Sequence, residues 1–454
     1  MWRRALGRAF EGVLGGIELV TQKAPVRIGL LGCGTVGGGV IRLIEENREH
    51  LAVRLGAPLE ITRVLVRDPN KDRVSECRRE WLTTDPGAVF ESGAVDVVVE
   101  VMGGENPARQ LVERALDGKK SVVTANKFLI AKHGPALLEK AVKNGVDLAF
   151  EASVGGGIPV IRTLREGLTS DWVQSVYAIL NGTCNYILTR MRDEKLGFAE
   201  VLADAQRLGY AEADPSLDVD GHDAAQKLVV VSMVSFGARV DPSQVPVEGI
   251  REIDQLDFQF ADRFGLTIKH LAIGEDQRDE LALRVHPALL PKNSVLANID
   301  GVLNGVFLTG RALGPCWLAG RGAGDMPTAV SVVADIVDVA RATIEGEPGL
   351  ATRAIRVRER PLRSIQDVEH RYYLRFDVAD HPGVLGVIAS ALGREGVSIE
   401  QMVQEGRGSE TGGAVPVLII THTCLESAVR RALDAIGREP FMTGKPRFIR
   451  IEDI

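Results

Sequence analysis

Asp223 and Lys227 stand four residues apart at the head of an apolar run, Leu228-Val229-Val230-Val231. They follow a turn-rich stretch that carries Glu212, Asp214 and Asp218. On a helix, residues four apart share a face. A lysine held among carboxylates and beside apolar surface can release and recover a proton. Taken alone, the pair reads more readily as an i,i+4 ion pair at an ordinary helix start. Whether the proton is used depends on what the rest of the chain places beside it.

The first element that must serve such chemistry is a nucleotide loop. Val26-Arg27-Ile28-Gly29-Leu30-Leu31 is a short apolar strand, and it runs into Gly32-Cys33-Gly34-Thr35-Val36-Gly37. Val40, Ile41 and Ile44 follow at helical spacing. This is GxGxxG between a strand and a helix. Gly32 permits the tight turn, Gly34 lets backbone approach a pyrophosphate, and Gly37 lets helix and strand pack closely. The helix N-terminus offers free N–H groups and a positive dipole end to phosphate. The next strand, Ile61 to Val66, ends at Arg67-Asp68. An acidic residue there suits the ribose hydroxyls of NAD, and an arginine suits the extra phosphate of NADP. Arg67, with Lys71 and Arg73 beyond it, points toward NADP; a solvated basic loop is the plainer alternative.

A third apolar strand, Val95 to Val101, and a fourth, Ser121-Val122-Val123, continue the pattern, and the latter closes on Thr124-Ala125-Asn126-Lys127. Parallel sheets place ligands at strand ends, so Lys127 is a candidate contact for substrate or nicotinamide. Asp147 to Phe150 leads into Glu151-Ala152-Ser153-Val154-Gly155-Gly156-Gly157-Ile158-Pro159. Three glycines expose backbone, and inward carbonyls beside Glu151 would suit a hard cation; the same glycines would serve as a hinge. In Leu180-Asn181-Gly182-Thr183-Cys184-Asn185, the side chains of Thr183 and Asn185 suit either substrate hydrogen bonds or a cap and turn.

The totals narrow the class. A chain of 454 residues has room for two or three domains. A net charge of −7 argues against nucleic acid or an anionic membrane as the main partner. Five scattered cysteines without a CxxC pair read as reduced thiols of a cytoplasmic protein. No apolar run is long enough to span a bilayer. Residues 1–24 read as an N-terminal extension.

These junctions together resemble homoserine dehydrogenase. The matching pieces are GCGTVG at 32–37, TANK at 124–127, EASVGGGIP at 151–159, NGTCNYIL at 181–188, GYAEADPSLDVDGHDAAQK at 209–227 and GAGDMPTA at 322–329. The resemblance implies reversible NAD(P)H-dependent reduction of L-aspartate 4-semialdehyde to L-homoserine. It assigns proton transfer to Lys227, orientation to Asp223 and substrate binding to Glu212 and Asp218, with Lys127 at the cofactor–substrate region. Thr183 is a further candidate substrate contact. Gly32, Gly34, Thr35, Val36, Gly37, Arg67 and Gly324 are the expected cofactor residues. Glu151 with the carbonyls of Val154, Gly156 and Ile158 resembles the family's monovalent cation site, with sodium expected. No fused aspartate kinase is expected ahead of residue 25. Another dehydrogenase of a small amino or keto acid, or a catalytically silent sensor, are the alternatives.

The resemblance also frames the domains. A Rossmann-type α/β nucleotide domain is expected over 25–160 plus about 316–345, and an α+β substrate and dimerisation domain over 161–315. Residues 346–369, rich in Arg, Glu and Pro, read as a linker. From 370 to 454 the pattern is βαββαβ, with Asp380-His381-Pro382-Gly383-Val384-Leu385 at the first turn and a glycine-rich loop at 406–413. This resembles an ACT regulatory domain. An amino-acid effector, L-threonine, is expected near Asp380, Gly383 and Val384, and the assembly is expected to be a homodimer or homotetramer. Pairing without a ligand is the alternative use of such a module.

Overall fold

The computed structural model describes residues 23–91, 93–404 and 414–454. The N-terminal extension, apart from its last residues, and the loop at 406–413 lie outside the described residues. The chain forms two compact units, residues 1–157 with 323–355, and residues 158–322 with 356–454.

The first unit is built on a six-stranded sheet in the order Leu82–Thr83, Leu59–Leu65, Val26–Leu31, Val97–Glu100, Ser121–Thr124, Leu148–Ala149. Every neighbouring pair is parallel. Val97–Glu100 and Ser121–Thr124 are buried along their whole length, as in a parallel sheet with helices on both faces. The helix Thr35–Glu46 buries Val40, Ile41 and Ile44 against it. The helix Asp325–Glu345 returns to the same core through Ala329, Val332, Val333 and Ile336. At their crossing Gly39 has no room for a side chain: a Cβ would stand 2.8 Å from the Asp325 carbonyl oxygen. The discontinuous Rossmann domain is therefore closed by residues after 322.

The second unit carries one long mixed sheet. Its order is Gly314–Arg321, Leu303–Gly310, Val173–Ile179, Leu266–Asp276, Leu281–Pro291, Arg447–Ile451, Glu369–Ala379, Ala414–Thr421, Ile399–Gln404. The last four strands, with the helices Val384–Arg394 and Glu426–Ile436, are the βαββαβ module. That module does not stand apart. Its final strand pairs in parallel with the substrate region's sheet, Ala288 with Arg450 and Leu289 with Ile451. The segment expected as a linker is also tied down: Arg358–Glu359 pairs with Ala238–Arg239, and the Leu281 N–H donates to the Pro361 carbonyl. The strand Gly314–Arg321 is the sheet's edge in the second unit, so this unit extends through Gly322.

Candidate active site

Gly221 opens the helix His222–Ser235 in a left-handed conformation, φ +90°, with a Cβ position only 2.7 Å from Val247. Only glycine fits there. The helix is buried almost all round, through Ala224, Ala225, Leu228, Val229, Val230, Val231 and Met233, so Asp223 and Lys227 are set among apolar neighbours. Asp223 lies in the first turn, where a carboxylate meets the positive end of the helix dipole. One turn on, Lys227 Nζ donates to Asp223 Oδ2 at 2.8 Å and to the Leu180 carbonyl at 2.7 Å.

Asn181 organises the acidic side of the site. Its Nδ2 donates to Asp218 Oδ1 at 2.7 Å and to Asp223 Oδ2 at 2.9 Å. Its Oδ1 accepts from the Cys184 N–H at 2.8 Å and so caps the helix Gly182–Glu194. Asn304 Nδ2 donates to the same Leu180 carbonyl at 3.0 Å. The ammonium is thus held in a partly enclosed pocket, 12 % exposed, against a carboxylate that is 2 % exposed. This geometry keeps an ammonium oriented and lets one of its protons leave or return without moving the backbone.

Not every candidate converges. Glu212 is exposed on the loop before this helix, where Gln206 Nε2 donates to its carbonyl at 3.0 Å. Thr183 Oγ1 donates to the Tyr210 carbonyl at 2.7 Å, pinning the 209–215 loop to the start of the neighbouring helix. Asn185 is 1 % exposed and turns away, donating to the carbonyls of Ile299 and Leu303. It is a structural residue. Asn181 and Asn304 are the site residues that sequence reasoning passed over. Asn181 sat inside a motif already singled out, but nothing local marks Asn304.

In the first unit the nucleotide loop has the shape its glycines require. Gly32 takes φ +106°. A Cβ on Gly37 would stand 2.6 Å from the Gly32 carbonyl oxygen, whereas one on Gly34 would meet nothing within 4 Å. Gly34 and Thr35 are exposed, and Val36 is half-buried. An open glycine at the start of a twelve-residue helix is what a pyrophosphate needs. Arg67 is exposed just after the second strand. Asp68 Oδ1 accepts from the Asn70 N–H at 2.8 Å, so that carboxylate caps its own turn. Lys127 is the first residue of the helix Lys127–Asn144, capped by Asn126. Behind it, the fully buried Glu100 accepts from Thr124 Oγ1 at 2.6 Å and from the N–H groups of Met102 and Gly103. Gly324, φ +120°, opens the helix Asp325–Glu345.

At the glycine run, Glu151 is 3 % exposed and its N–H donates to Asp335 Oδ2. The Gly156 carbonyl accepts from Ser331 Oγ at 2.7 Å and keeps a second lone pair. Val154 is buried, and the Ile158 carbonyl accepts from the Val160 N–H at 2.8 Å. No group of three or more His, Cys, Asp or Glu able to hold a metal occurs among the described residues. A cation here would be held mainly by carbonyl oxygens, a donor set that suits a hard ion.

The comparisons with known proteins now decide the family. Residues 32–151 match the family model for the homoserine dehydrogenase NAD-binding domain, and residues 159–337 match the model for homoserine dehydrogenase. Residues 372–438 match the ACT domain. A homoserine dehydrogenase of Pseudomonas aeruginosa is 41 % identical over 95 % of this chain and 99 % of its own. That of Synechocystis is 42 % identical over 94 % and 99 %. The chain belongs to the homoserine dehydrogenase family. The solved homoserine dehydrogenase of Thiobacillus denitrificans superposes with a TM-score of 0.89 at 40 % identity, covering 95 % of this chain and 99 % of that one. A hyperthermophilic archaeal homoserine dehydrogenase in complex with NADPH gives 0.59 at 27 % identity, over 69 % and 97 %. Membership makes this chain an NAD(P)-dependent oxidoreductase that interconverts L-aspartate 4-semialdehyde and L-homoserine, with a C-terminal ACT domain. Among the described residues no helix is long and apolar enough to cross a membrane.

Proposed function

We propose that Lys227 is the proton donor and acceptor of homoserine dehydrogenation in this chain, oriented by Asp223 and the Leu180 carbonyl. The observation that carries this reading is the pair of short hydrogen bonds from Lys227 Nζ, 2.8 Å to Asp223 Oδ2 and 2.7 Å to Leu180 O. They leave one ammonium proton for a substrate oxygen. When bound, the nicotinamide supplies or accepts the hydride. The protein must then neutralise an alkoxide, or take a proton from an alcohol, at the same carbon. An ammonium 12 % exposed can do both, because little water competes for it. Asp218 and Glu212 are assigned to the substrate's ammonium, and Thr183 to holding the loop that carries Glu212. Lys127, at its strand end, is assigned a contact with nicotinamide or substrate.

Arg67 supports NADP as the preferred cofactor, since it stands exposed where an extra ribose phosphate would lie. Glu151 and the carbonyls of Val154, Gly156 and Ile158 are proposed to hold sodium or another monovalent cation. L-threonine is proposed as an effector at the start of the helix Val384–Arg394, where Gly383 takes φ +93° beside the exposed Asp380. The edge strand Gly314–Arg321, with Trp317 55 % exposed, supports assembly as a homodimer or homotetramer. A cytoplasmic site of action fits the five free cysteines. Homoserine-dependent reduction of NADP and NAD, with and without L-threonine, tests the whole reading. No homoserine turnover with either cofactor would overturn it.

A further inference from the structure

Glu100 is a carboxylate with no exposed surface, at the C-terminal end of the strand Val97–Glu100. The sheet changes its direction of growth between Val26–Leu31 and Val97–Glu100, and across that junction Leu31 stands beside Glu100. Dinucleotides lie across such a switch point, beyond the carboxyl ends of the strands. Arg67 follows the second strand and is assigned to the ribose phosphate, which leaves the Glu100 side of the junction for the nicotinamide. Glu100 is therefore a buried charge on the redox side of the crevice.

Three neutral groups hold this carboxylate. Glu100 Oε1 accepts from the Met102 N–H at 2.8 Å and the Gly103 N–H at 3.1 Å, and Oε2 accepts from Thr124 Oγ1 at 2.6 Å. Both oxygens accept and neither donates, which is the role of a carboxylate and not of a carboxylic acid. Thr124 Oγ1 in turn accepts from the Asn126 N–H at 3.0 Å. Asn126 then reaches both ways. Its Nδ2 donates to the Gly104 carbonyl at 2.7 Å, and its Oδ1 accepts from the Leu129 N–H at 3.1 Å, capping the helix that begins at Lys127. The gripped turn has Gly103 and Gly104 at φ +74° and +72°, which glycine adopts without strain. It also packs on the nucleotide loop, where a Cβ on Gly32 would stand 3.0 Å from the Val101 carbonyl oxygen. Displacing Glu100 would thus displace the turn and the start of the Lys127 helix together. Its charge has a second consequence. A buried anion acts over several ångströms with little screening. The oxidised nicotinamide ring is a cation and the reduced ring is neutral, so a fixed negative charge on this side favours the oxidised form.

We propose that Glu100 is a positioning residue of the cofactor site, one that fixes the 102–104 turn and Lys127 and biases the bound cofactor toward its oxidised form. The proposal rests on the assignment of Lys127 to the nicotinamide side. Equilibrium titration of the full-length protein with NADP⁺ and NADPH tests it, with NAD⁺ and NADH run in parallel. Glu100→Gln keeps the shape and an acceptor oxygen but loses the charge. Its Kd for NADP⁺ should rise about fivefold or more beyond any change in its Kd for NADPH. A purely structural Glu100 would shift both values together and leave their ratio where it was. Thr124→Val keeps the charge but cuts the link to Asn126. Its Kd ratio should stay near that of the parent, while kcat falls about tenfold and the KM for homoserine holds within about twofold. An unchanged ratio in folded Glu100→Gln overturns the proposal. Should that variant fail to fold, Thr124→Val decides, and a kcat within about twofold of the parent overturns it. The titrations need no turnover, so a parent inactive with homoserine would overturn the homoserine assignment and leave this test standing.

Discussion

Asn181 stands between two carboxylates, its amide nitrogen 2.7 Å from Asp218 Oδ1 and 2.9 Å from Asp223 Oδ2. One neutral side chain thus spaces two anions and, through its oxygen, caps the next helix. Asn181→Ala should leave the carboxylates facing each other and the cap unmade. A stability loss of about 1–2 kcal/mol is expected from the cap alone. The KM for homoserine should rise as well, because Asp218 and Asp223 lose their shared partner. Thermal unfolding alongside steady-state kinetics checks both, and an unchanged KM would count against the bridging role.

Lys227→Met should lower kcat by about 10²–10⁴-fold, the usual range for a lost general acid or base. Binding of NADPH, measured by fluorescence titration, should change little, because the nucleotide loop belongs to the other unit. Asp223→Asn keeps a hydrogen bond acceptor for the lysine and is expected to be milder. Near-normal turnover by Lys227→Met would sink the assignment.

Two glycines of the nucleotide loop should separate folding from binding. At Gly37 a Cβ would stand 2.6 Å from the Gly32 carbonyl oxygen, so Gly37→Ala must force helix and strand apart. A fall in unfolding temperature is expected, with a cost of about 1–3 kcal/mol as in other overpacked sites. At Gly34 nothing lies within 4 Å, so Gly34→Ala should fold normally. It should nevertheless bind NADPH about tenfold or more weakly, because its methyl group occupies the pyrophosphate's approach. Equal effects on both properties at both positions would contradict this division.

Burial holds the His270 imidazole down at a pKa of about 4, against the opposing pull of Glu248 and Asp223. A histidine kept neutral adds stability above its unfolded value of about 6.5. That stability drains away as pH falls from there toward about 4. The contribution to the slope reaches about 1.4 kcal/mol per pH unit. Asp257 acts in the opposite sense: burial pushes its carboxyl up to about 6, so its charged form becomes less of a burden as pH falls through that value. Urea unfolding between pH 7 and pH 4 should show a shallower acid loss for His270→Gln than for the parent. Parallel curves would refute the role of His270.

Deleting residues 370–454 should cost the second unit its fold rather than only its regulation. The strand Arg447–Ile451 pairs with Leu281–Pro291, and the buried Arg284 loses Glu452 when it goes. Arg284 keeps its ion pair with Glu275 Oε2 at 2.7 Å, so the loss comes mainly from the uncovered strand edge of Leu281–Pro291. The truncated chain is expected to lack a cooperative unfolding transition by circular dichroism. A truncated chain that unfolds cooperatively would show that the module is only appended.

Much of this was legible in residues alone. The nucleotide loop announces itself because φ and close approach restrict each of its glycines locally. The βαββαβ order of the tail follows from alternating and helical periodicities that tertiary contacts did not override; the strand Arg447–Ile451 and the helix Glu426–Ile436 lie where the pattern put them. The expected linker was misjudged because charge and proline suggest solvent, whereas Arg358–Glu359 is recruited as a strand by distant residues.

The sequence by itself therefore determined the family, the chemistry of the catalytic segment and the content of each module. Each of these depends on neighbours in the chain. Tertiary structure alone decided that Asn181 and the Leu180 carbonyl complete the lysine's setting, that Asn304 supports them from far along the chain, and that the ACT sheet is continuous with the substrate sheet. Those facts rest on hydrogen bonds between residues far apart in the chain, 124 positions for Asn304 and Leu180, and no local pattern encodes such a partner.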